Sequence, residues 1–317
     1  MRRFLFAQYD CLYGEDNHMK LVEDCVRWGI TDVVVGDLTP EVDLVDKLRA
    51  TGIRIFVWWA VGYWPAGGLE WYDNAPSSWK LRTNSECKLN AGRADVQSAI
   101  AAYAVGLAQR DDIDGVLLDY FRYQDGAAKR NSFLSADDWT NAITSIRTAL
   151  GDRELVLAGV PYDAGGYPGY NFDMAGCSQP WDGWLEEGLL DIVLAMEYWD
   201  AVGLTEMLPN YDGIAQSGLI ACPIAFYEES RLLSADEFAS ILAMLAEREM
   251  MGIFDYASLM SNPQHAALLE GSGGDEPEPD QLMELVSRIA ELVGKFRDTY
   301  TELVIAIAQL SEIVGVK

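Results

Sequence analysis

Short apolar runs alternate with amphipathic stretches along the first 270 residues of the chain. The runs have the length and β-rich composition of strands, and the stretches have the apolar spacing of helices. We predict strands at residues 4–9, 31–37, 53–61, 115–120, 154–160, 191–199, 219–226 and 252–258. We predict helices at 19–28, 41–51, 94–109, from 135 onward, 181–190, 204–217, 234–250 and 262–270. Ser135 and Ser234 are predicted N-caps.

Eight strand-then-helix units are typical of a (β/α)8 TIM barrel. Residues 33–35 and 192–196 are continuously apolar, as strands buried on both faces of a parallel sheet should be. A doubly wound open sheet is the alternative, and it usually carries a glycine-rich phosphate turn after its first strand. Residues 10–15, DCLYGE, contain no such turn, so the pattern favours the barrel.

The pattern changes after residue 270. Residues 271–280, GSGGDEPEPD, predict an exposed linker between a barrel over 1–270 and a helix over 281–317. In that helix large apolar residues fill eight of ten positions in two series with a spacing of seven, one from Leu282 to Leu310 and the other from Leu285 to Ile313. The apolar face is wide, which favours a coiled-coil bundle and therefore a homo-oligomer. A helix folded back on its own barrel is the alternative.

The charge balance excludes two classes of binding partner. The chain has 50 Asp and Glu against 23 Lys and Arg, a net charge of −27 and a pI near 4.2. Such a surface repels phosphate backbones and anionic lipids, so we expect neither a nucleic acid nor a membrane as partner. No apolar run is long enough to cross a bilayer, and residues 1–10 turn polar too early for a signal peptide. The localisation stays open, as does the choice between a salt-adapted host and an ordinary acidic protein.

Metal and disulfide chemistry are not indicated. The five cysteines are scattered, and no two of them form a C-x-x-C pair, so we expect free thiols. The two histidines, His18 and His265, do not stand in a metal-binding spacing. We therefore expect no metal and no cofactor.

Carboxylates follow the predicted strands, where TIM barrels carry their catalytic groups. These acids are Asp10, Asp37, Asp119, Asp163, Glu197 and Glu228. Side-chain alternation puts Leu117 and Asp119 on one inward face, and a frame with Val193 and Ala195 inward also turns Glu197 inward. A carboxylate inside a barrel is costly unless it is solvated, paired or used. Asp119 and Glu197 thus indicate a functional site, with a structural ion pair or a helix N-cap as the alternative for each.

Aromatic residues suggest what the site binds. Seven of them crowd residues 58–79, and others stand at strand ends. Flat aromatic faces pack on sugar rings while carboxylates bond the hydroxyls, so we predict a polysaccharide or glycan as partner. A cap of aromatic side chains that closes the barrel is the alternative. The predicted substrate-binding residues are Tyr9, Asp10, Trp58, Trp59, Trp64, Tyr120, Arg122, Tyr162, Tyr198, Trp199 and Glu228.

Two motifs carry a family resemblance. Residues 114–123, DGVLLDYFRY, resemble the strand-four signature of glycosyl-hydrolase-like TIM barrels. Residues 194–198, LAMEY, are similar to the strand-six acid of polygalactosaminidase and spherulin-type glycosidases. The resemblance implies that Asp119 and Glu197 form the catalytic pair. Those polygalactosaminidases usually have Asp-Asn where this chain has Asp119-Tyr120, so their substrate does not carry over.

The resemblance implies glycosidic hydrolysis, in which one carboxyl protonates the leaving oxygen and the other attacks the anomeric carbon or activates water. We assign Glu197 as acid/base and Asp119 as nucleophile, and we expect Arg122 to keep Asp119 ionised by lowering its pKa. The sequence leaves open whether configuration is retained or inverted. A non-catalytic carbohydrate-binding barrel is one alternative function. A structural component of a larger assembly, such as a phage or viral tail or fibre, is another.

The predicted linker and helix at residues 271–317 give a first testable prediction. Deletion of residues 271–317 should give a soluble, folded monomer, because a barrel closes its own sheet and keeps its own core. Mass photometry of the full-length and truncated chains measures the change. A full-length chain that is already monomeric, or an insoluble truncation, would contradict the predicted oligomerisation helix.

Overall fold

Eight parallel strands close into a barrel, which confirms the predicted TIM-barrel architecture. Each strand pairs with its neighbours along the chain, and the last pairs with the first to close the sheet. These strands are β1 (Arg2–Ala7), β2 (Asp32–Val35), β3 (Arg54–Ala60), β4 (Gly115–Asp119), β5 (Glu154–Gly159), β6 (Ile192–Ala195), β7 (Ser217–Ala221) and β10 (Met250–Ile253). Between β7 and β10, β8 (Ile224–Ala225) and β9 (Arg231–Leu232) form a small antiparallel sheet.

The structure is a computed structural model that describes residues 1–8, 12–36, 40–61, 76–81, 89–123, 135–162, 177–225 and 231–270. The predicted linker at 271–280 and the predicted helix at 281–317 lie outside the described residues. The oligomer that this helix would form is therefore still a prediction.

Helices surround the barrel. They are α1 (Glu15–Arg27), α2 (Val42–Ala50), α3 (Ala94–Ala108), α4 (Ala136–Leu150), α5 (Trp181–Glu186), α6 (Ala201–Met207), α7 (Ala235–Ala246), α8 (Tyr256–Met260) and α9 (Pro263–Glu270). As predicted, serines begin α4 and α7, and at α7 the Ser234 hydroxyl accepts the Glu237 N–H while the Glu237 carboxylate accepts the Ser234 N–H. None of the described helices is long and apolar enough to cross a membrane.

Several predicted elements end at other residues in the structure, and three of these ends have a local reason. The helix predicted at 204–217 is α6 followed by a 3-10 turn at Leu208–Tyr211, since Pro209 has no N–H to continue an α-helix. The sixth strand stops at Ala195, where the Glu197 N–H turns back to the Ala195 carbonyl. The eighth strand ends before Asp255, whose side chain accepts the Ser258 N–H and caps α8.

The strands separate two apolar layers. The inward layer fills the barrel with side chains that include Phe4, Phe6, Val34, Phe56, Leu117, Val156, Leu194 and Ile220. The outward layer packs against the helices and includes Leu5, Val33, Val35, Ile55, Val116, Leu118, Val193 and Ala195. Gly115 makes room for the interior, because a Cβ there would lie 2.5 Å from a ring carbon of Phe56. Cys25 and Cys177 are buried in these layers.

Ion pairs close the amino-terminal end of the barrel. Arg2 lies 2.7 Å from Asp32 and 2.6 Å from Glu154, and Arg54 lies 2.6 Å and 3.0 Å from the same two carboxylates. Asp32 is fully buried, and burial raises its pKa against the opposing effects of Thr31 and Arg2. This four-residue network satisfies its own charges, as expected of the structural end of a TIM barrel.

Candidate active site

The carboxyl end of the barrel carries most of the predicted site residues that the structure describes. Asp119 ends β4, Trp58 lies in β3, and Tyr162 and Tyr198 follow β5 and β6. Four predicted substrate-binding residues lie outside the described part of the chain: Tyr9, Asp10, Trp64 and Glu228. Asp37 and Asp163, the other acids noted at strand ends, also lie outside it.

Asp119 points into the mouth of the barrel. Leu117, two residues before it, belongs to the inward layer, which confirms the predicted frame of β4. The carboxylate is 5% exposed and accepts hydrogen bonds from the Tyr120 backbone N–H at 2.6 Å and the Trp58 indole N–H at 3.1 Å. The Arg122 guanidinium lies 3.5 Å from the same oxygen that Tyr120 bonds. Among the described residues, the three groups that bond or pair with this buried carboxylate are all donors.

The surroundings of Asp119 correct one expectation about its charge. Burial raises its pKa above the usual range, although Arg122 and the hydrogen bonds from Tyr120 and Trp58 act in the opposite direction. Arg122 lowers the pKa of Asp119, as we expected from the sequence, but burial outweighs this effect and the net shift is upward. At this site desolvation outweighs one guanidinium at 3.5 Å.

The turn after β4 presents Tyr120 and Arg122 together. Tyr120 has a φ of 51°, in the left-handed region that non-glycine residues seldom occupy. The Arg122 guanidinium stacks over the Tyr120 ring, with its Cζ 4.7 Å from the ring centroid. A backbone conformation that costs about 1–3 kcal/mol persists when its surroundings hold it, and such residues cluster at functional sites.

Buried neighbours hold that turn in place. The Phe121 ring packs edge-on against Trp139 at 4.6 Å, and the Tyr123 hydroxyl donates to Asp138 at 2.7 Å. The Tyr123 N–H donates to the carbonyl of Cys177 at 2.9 Å. Phe121 and Tyr123 of the DGVLLDYFRY motif therefore anchor the turn. Arg122 of the same motif lies beside Asp119 and stacks on Tyr120.

An aromatic cluster lines the barrel mouth beside Asp119. Phe6 packs on Trp58 at 5.7 Å and on Phe254 at 5.6 Å, and Phe254 packs on Trp58 and on Tyr198 at 5.9 Å each. Trp58 and Tyr198 were predicted, whereas Phe6 and Phe254 were missed. Alternation from Phe4 pointed to Phe6, but Phe254 follows the end of β10 and had no comparable signal.

Trp59 is not part of the mouth. Its side chain is 0% exposed, points away from the barrel interior and packs on Tyr103 of α3 at 5.0 Å. The expectation that Trp59 binds substrate is corrected accordingly, because adjacent residues of a strand face opposite sides. Trp58 is the tryptophan of this pair that reaches the site.

The position of Glu197 differs from the one predicted from the alternation of side chains in β6. Val193 and Ala195 belong to the outward layer, and Leu194 and Met196 to the inward one, so the predicted frame of β6 is wrong. Glu197 stands two residues beyond the end of β6, after the turn back to Ala195. It lies at the rim, and strand alternation does not aim it at the mouth.

The Glu197 carboxylate is 3% exposed and bound at both oxygens. The Tyr211 hydroxyl donates to Oε1 at 2.6 Å and the Trp199 indole N–H donates to Oε2 at 2.7 Å. Burial raises its pKa, and these two hydrogen bonds act against that shift. Tyr211 is a neighbour of Glu197 that the sequence did not reveal. It is fourteen residues away along the chain, in a turn that was predicted to be helix.

Metal ligation finds no support in this geometry. Within the described ranges, no cluster of three or more His, Cys, Asp or Glu side chains could hold a metal ion. The groups that can act on a bound molecule at this end are carboxylates, aromatic faces, the Arg122 guanidinium and hydroxyls. This set is suited to proton transfer and to binding a polyhydroxylated ligand.

Solved structures share this architecture. The glycoside hydrolase domain of PgaB (BpsB) from Bordetella bronchiseptica has a TM-score of 0.60 at 12% identity, covering 87% of this chain and 100% of that domain. For the glycoside hydrolase domain of PelA from Pseudomonas aeruginosa the TM-score is 0.53 at 12% identity, covering 81% and 95%. For TtGalA, an α-galactosidase from Thermus thermophilus, it is 0.54 at 16% identity, covering 87% and 65%.

The chain shares the barrel fold of these glycoside hydrolases. No family model matches its sequence, and no curated protein sequence matches it. At 12–16% identity the likeness to the solved domains is one of fold. What this barrel does must therefore follow from its own side chains, since one fold supports many chemistries.

Asp119 generates a prediction on stability. Because burial raises its pKa, the folded state binds this proton more tightly than the unfolded state, so stability falls as pH rises above the ordinary aspartate value near 4. Asp119→Asn removes this pH-dependent loss of stability, because an amide does not ionise. The variant should melt at the wild-type temperature or slightly above it at pH 7, and lose less stability between about pH 4 and pH 7. Thermal melts across that range measure the difference.

A purely structural role of Asp119 predicts the opposite effect of Asp119→Asn on stability. If its pairing with Arg122 mainly stabilises the fold, Asp119→Asn should cost several kcal/mol at neutral pH. A much lower melting temperature of Asp119→Asn at pH 7 would therefore contradict our inference that the buried Asp119 carboxylate destabilises the fold.

Proposed function

We propose that this chain is a glycoside hydrolase that cleaves a polysaccharide at the carboxyl end of its barrel. The observation that carries the proposal is Asp119, a buried carboxylate held by Trp58 and Arg122 in the barrel mouth. Trp58 also belongs to the aromatic cluster, so an acid and an apolar ring surface meet at one place. Sugar hydrolysis needs both, because the ring's C–H face must be bound while its glycosidic oxygen is protonated.

The two carboxylates have different environments, which suits different roles. Asp119 has a guanidinium and two N–H donors around it, and all of them favour its ionised form. Among the described residues Glu197 pairs with no cation and has a tyrosine hydroxyl and an indole as partners. We therefore assign Asp119 as nucleophile and Glu197 as acid/base, since neighbours that treat two acids differently separate their roles.

In the proposed reaction Glu197 gives its proton to the leaving glycosidic oxygen while the Asp119 carboxylate attacks the anomeric carbon. Water, deprotonated by Glu197, then releases the sugar from Asp119. Tyr198 and Trp199, both half-buried beside Glu197, are proposed to contact the sugar together with Tyr120 and Trp58.

Turnover by matched variants tests this assignment. The substrates are soluble polysaccharides of neutral hexose, N-acetylhexosamine and partly deacetylated amino sugar, with release of reducing ends as the readout. Asp119→Asn and Glu197→Gln should each lower turnover by about 10²–10⁴-fold, because an amide can neither attack nor exchange the proton. Glu23→Gln, the same change at an exposed glutamate of α1, should keep wild-type rates. Full activity in either site variant would contradict the assignment.

One observation favours a second function, a carbohydrate-binding barrel without turnover. Both oxygens of Glu197 are occupied by protein donors, and β6 does not aim this side chain inward. Such a barrel would bind one of the polysaccharides above and release no reducing ends. Isothermal titration on the same panel separates the two functions.

A further inference from the structure

Glu197 is held by donors from two different segments. Trp199, two residues away, bonds one oxygen, and Tyr211, from the 3-10 turn after α6, bonds the other. A buried carboxylate that bridges two segments has a defined orientation, because neither oxygen can turn without breaking a bond of 2.6–2.7 Å.

The direction of the Tyr211 hydrogen bond follows from its partners. The backbone N–H of Tyr162 donates to the Tyr211 oxygen at 2.9 Å, so one lone pair of that oxygen is used. A hydroxyl has a single proton, and the other partner of Tyr211 is the Glu197 oxygen. The proton therefore points at Glu197, and the Tyr211 hydroxyl favours the charged carboxylate.

Packing fixes the Tyr211 ring. It lies parallel to Trp181, with an interplanar angle of 9° and 6.1 Å between centroids, and it is 1% exposed. The Trp181 indole in turn donates to the carbonyl of Val160, at the end of β5. The ring is thus tied to the segment that leaves β5, and the hydroxyl to the segment that leaves β6.

We propose that Tyr211 is a positioning residue for Glu197, and that its hydroxyl joins this acid to the backbone of Tyr162 on the neighbouring strand end. The inference rests on the proposed function, because it gives a role to the residue assigned there as acid/base. Tyr211 acts through Glu197 in this proposal, since its hydroxyl bonds the Tyr162 backbone on one side and the Glu197 carboxylate on the other.

The charged groups that the structure describes near this pair bond to other residues. Arg248, which follows α7, has its Cζ 6.0 Å from the centroid of the Tyr211 ring and bonds Asp212 and the Leu208 carbonyl. Asp200 caps α6 and lies 3.8 Å from Arg231. Within the described residues none of these groups bonds Glu197, so its direct partners are Tyr211 and Trp199.

Nuclear magnetic resonance of the full chain tests the proposal without a substrate. The chain has ten tryptophans, and ¹⁵N-tryptophan labelling gives each indole N–H its own signal. Trp199→Phe assigns the signal of interest. Because this N–H donates to Glu197, its shift should follow the protonation of that carboxylate, and Glu197→Gln should abolish the titration.

Tyr211→Phe should move the midpoint of that titration to higher pH, because it removes a donor that favours the ionised acid. Tyr256→Phe is the matched control. It removes another buried hydroxyl bonded to a carboxylate, that of Asp24 at 2.7 Å, and should leave the midpoint unchanged even if the protein melts earlier. A midpoint in Tyr211→Phe equal to or below that of the wild type would overturn the proposal. An indole signal that does not titrate in the wild type would overturn it too.

Kinetics separate this inference from the proposed function. On a polysaccharide that the wild type cleaves, Tyr211→Phe should stay within about tenfold of wild-type kcat/KM while the alkaline limb of its pH profile moves upward. If Glu197→Gln keeps full activity, the catalytic assignment fails even when the indole midpoint moves as expected. If Glu197→Gln is inactive and neither the midpoint nor the limb moves in Tyr211→Phe, the assignment stands and the role of Tyr211 fails.

Discussion

The burial of one carboxylate organises the open end of this barrel. β4 places Leu117 and Asp119 on the same inward face, so the register that fills the interior also carries an acid to its mouth. Removing a carboxylate from water is costly, and here an indole, a backbone N–H and a guanidinium only partly offset that cost. The Tyr120 backbone N–H, the Trp58 indole and the Arg122 guanidinium all direct donors at this group.

The two ends of the barrel treat charge differently. At the amino-terminal end, two arginines and two carboxylates pair with one another at 2.6–3.0 Å. At the other end, Asp119 has one guanidinium at 3.5 Å, and Glu197 bonds to uncharged donors. The first arrangement satisfies its charges within the fold. The second leaves two acids whose pKa values are raised by burial, and perturbed carboxyls of this kind are typical of functional sites.

The sequence predicted the barrel and the position of Asp119, but not the surroundings of Glu197. Gly115, Leu117 and Asp119 form a recognisable face in β4, whereas every residue of β6 is apolar and buried on one side or the other. In a strand buried on both faces, hydrophobicity carries no information about which face is inward.

The same limit explains the error at Trp59, which has the same side chain as the inward Trp58. The raised pKa of Asp119 was also out of reach, because the motif shows that Arg122 is near but not how completely the carboxylate is buried. Tyr211 could not be found from spacing, since it meets Glu197 only through tertiary packing.

A crystal structure of Asp119→Asn with an oligosaccharide of a cleaved polysaccharide tests the central claim most directly. The account predicts that one sugar ring packs on the cluster of Phe6, Trp58, Phe254 and Tyr198, with its anomeric carbon facing residue 119. A sugar bound with its glycosidic bonds away from residue 119 would contradict it.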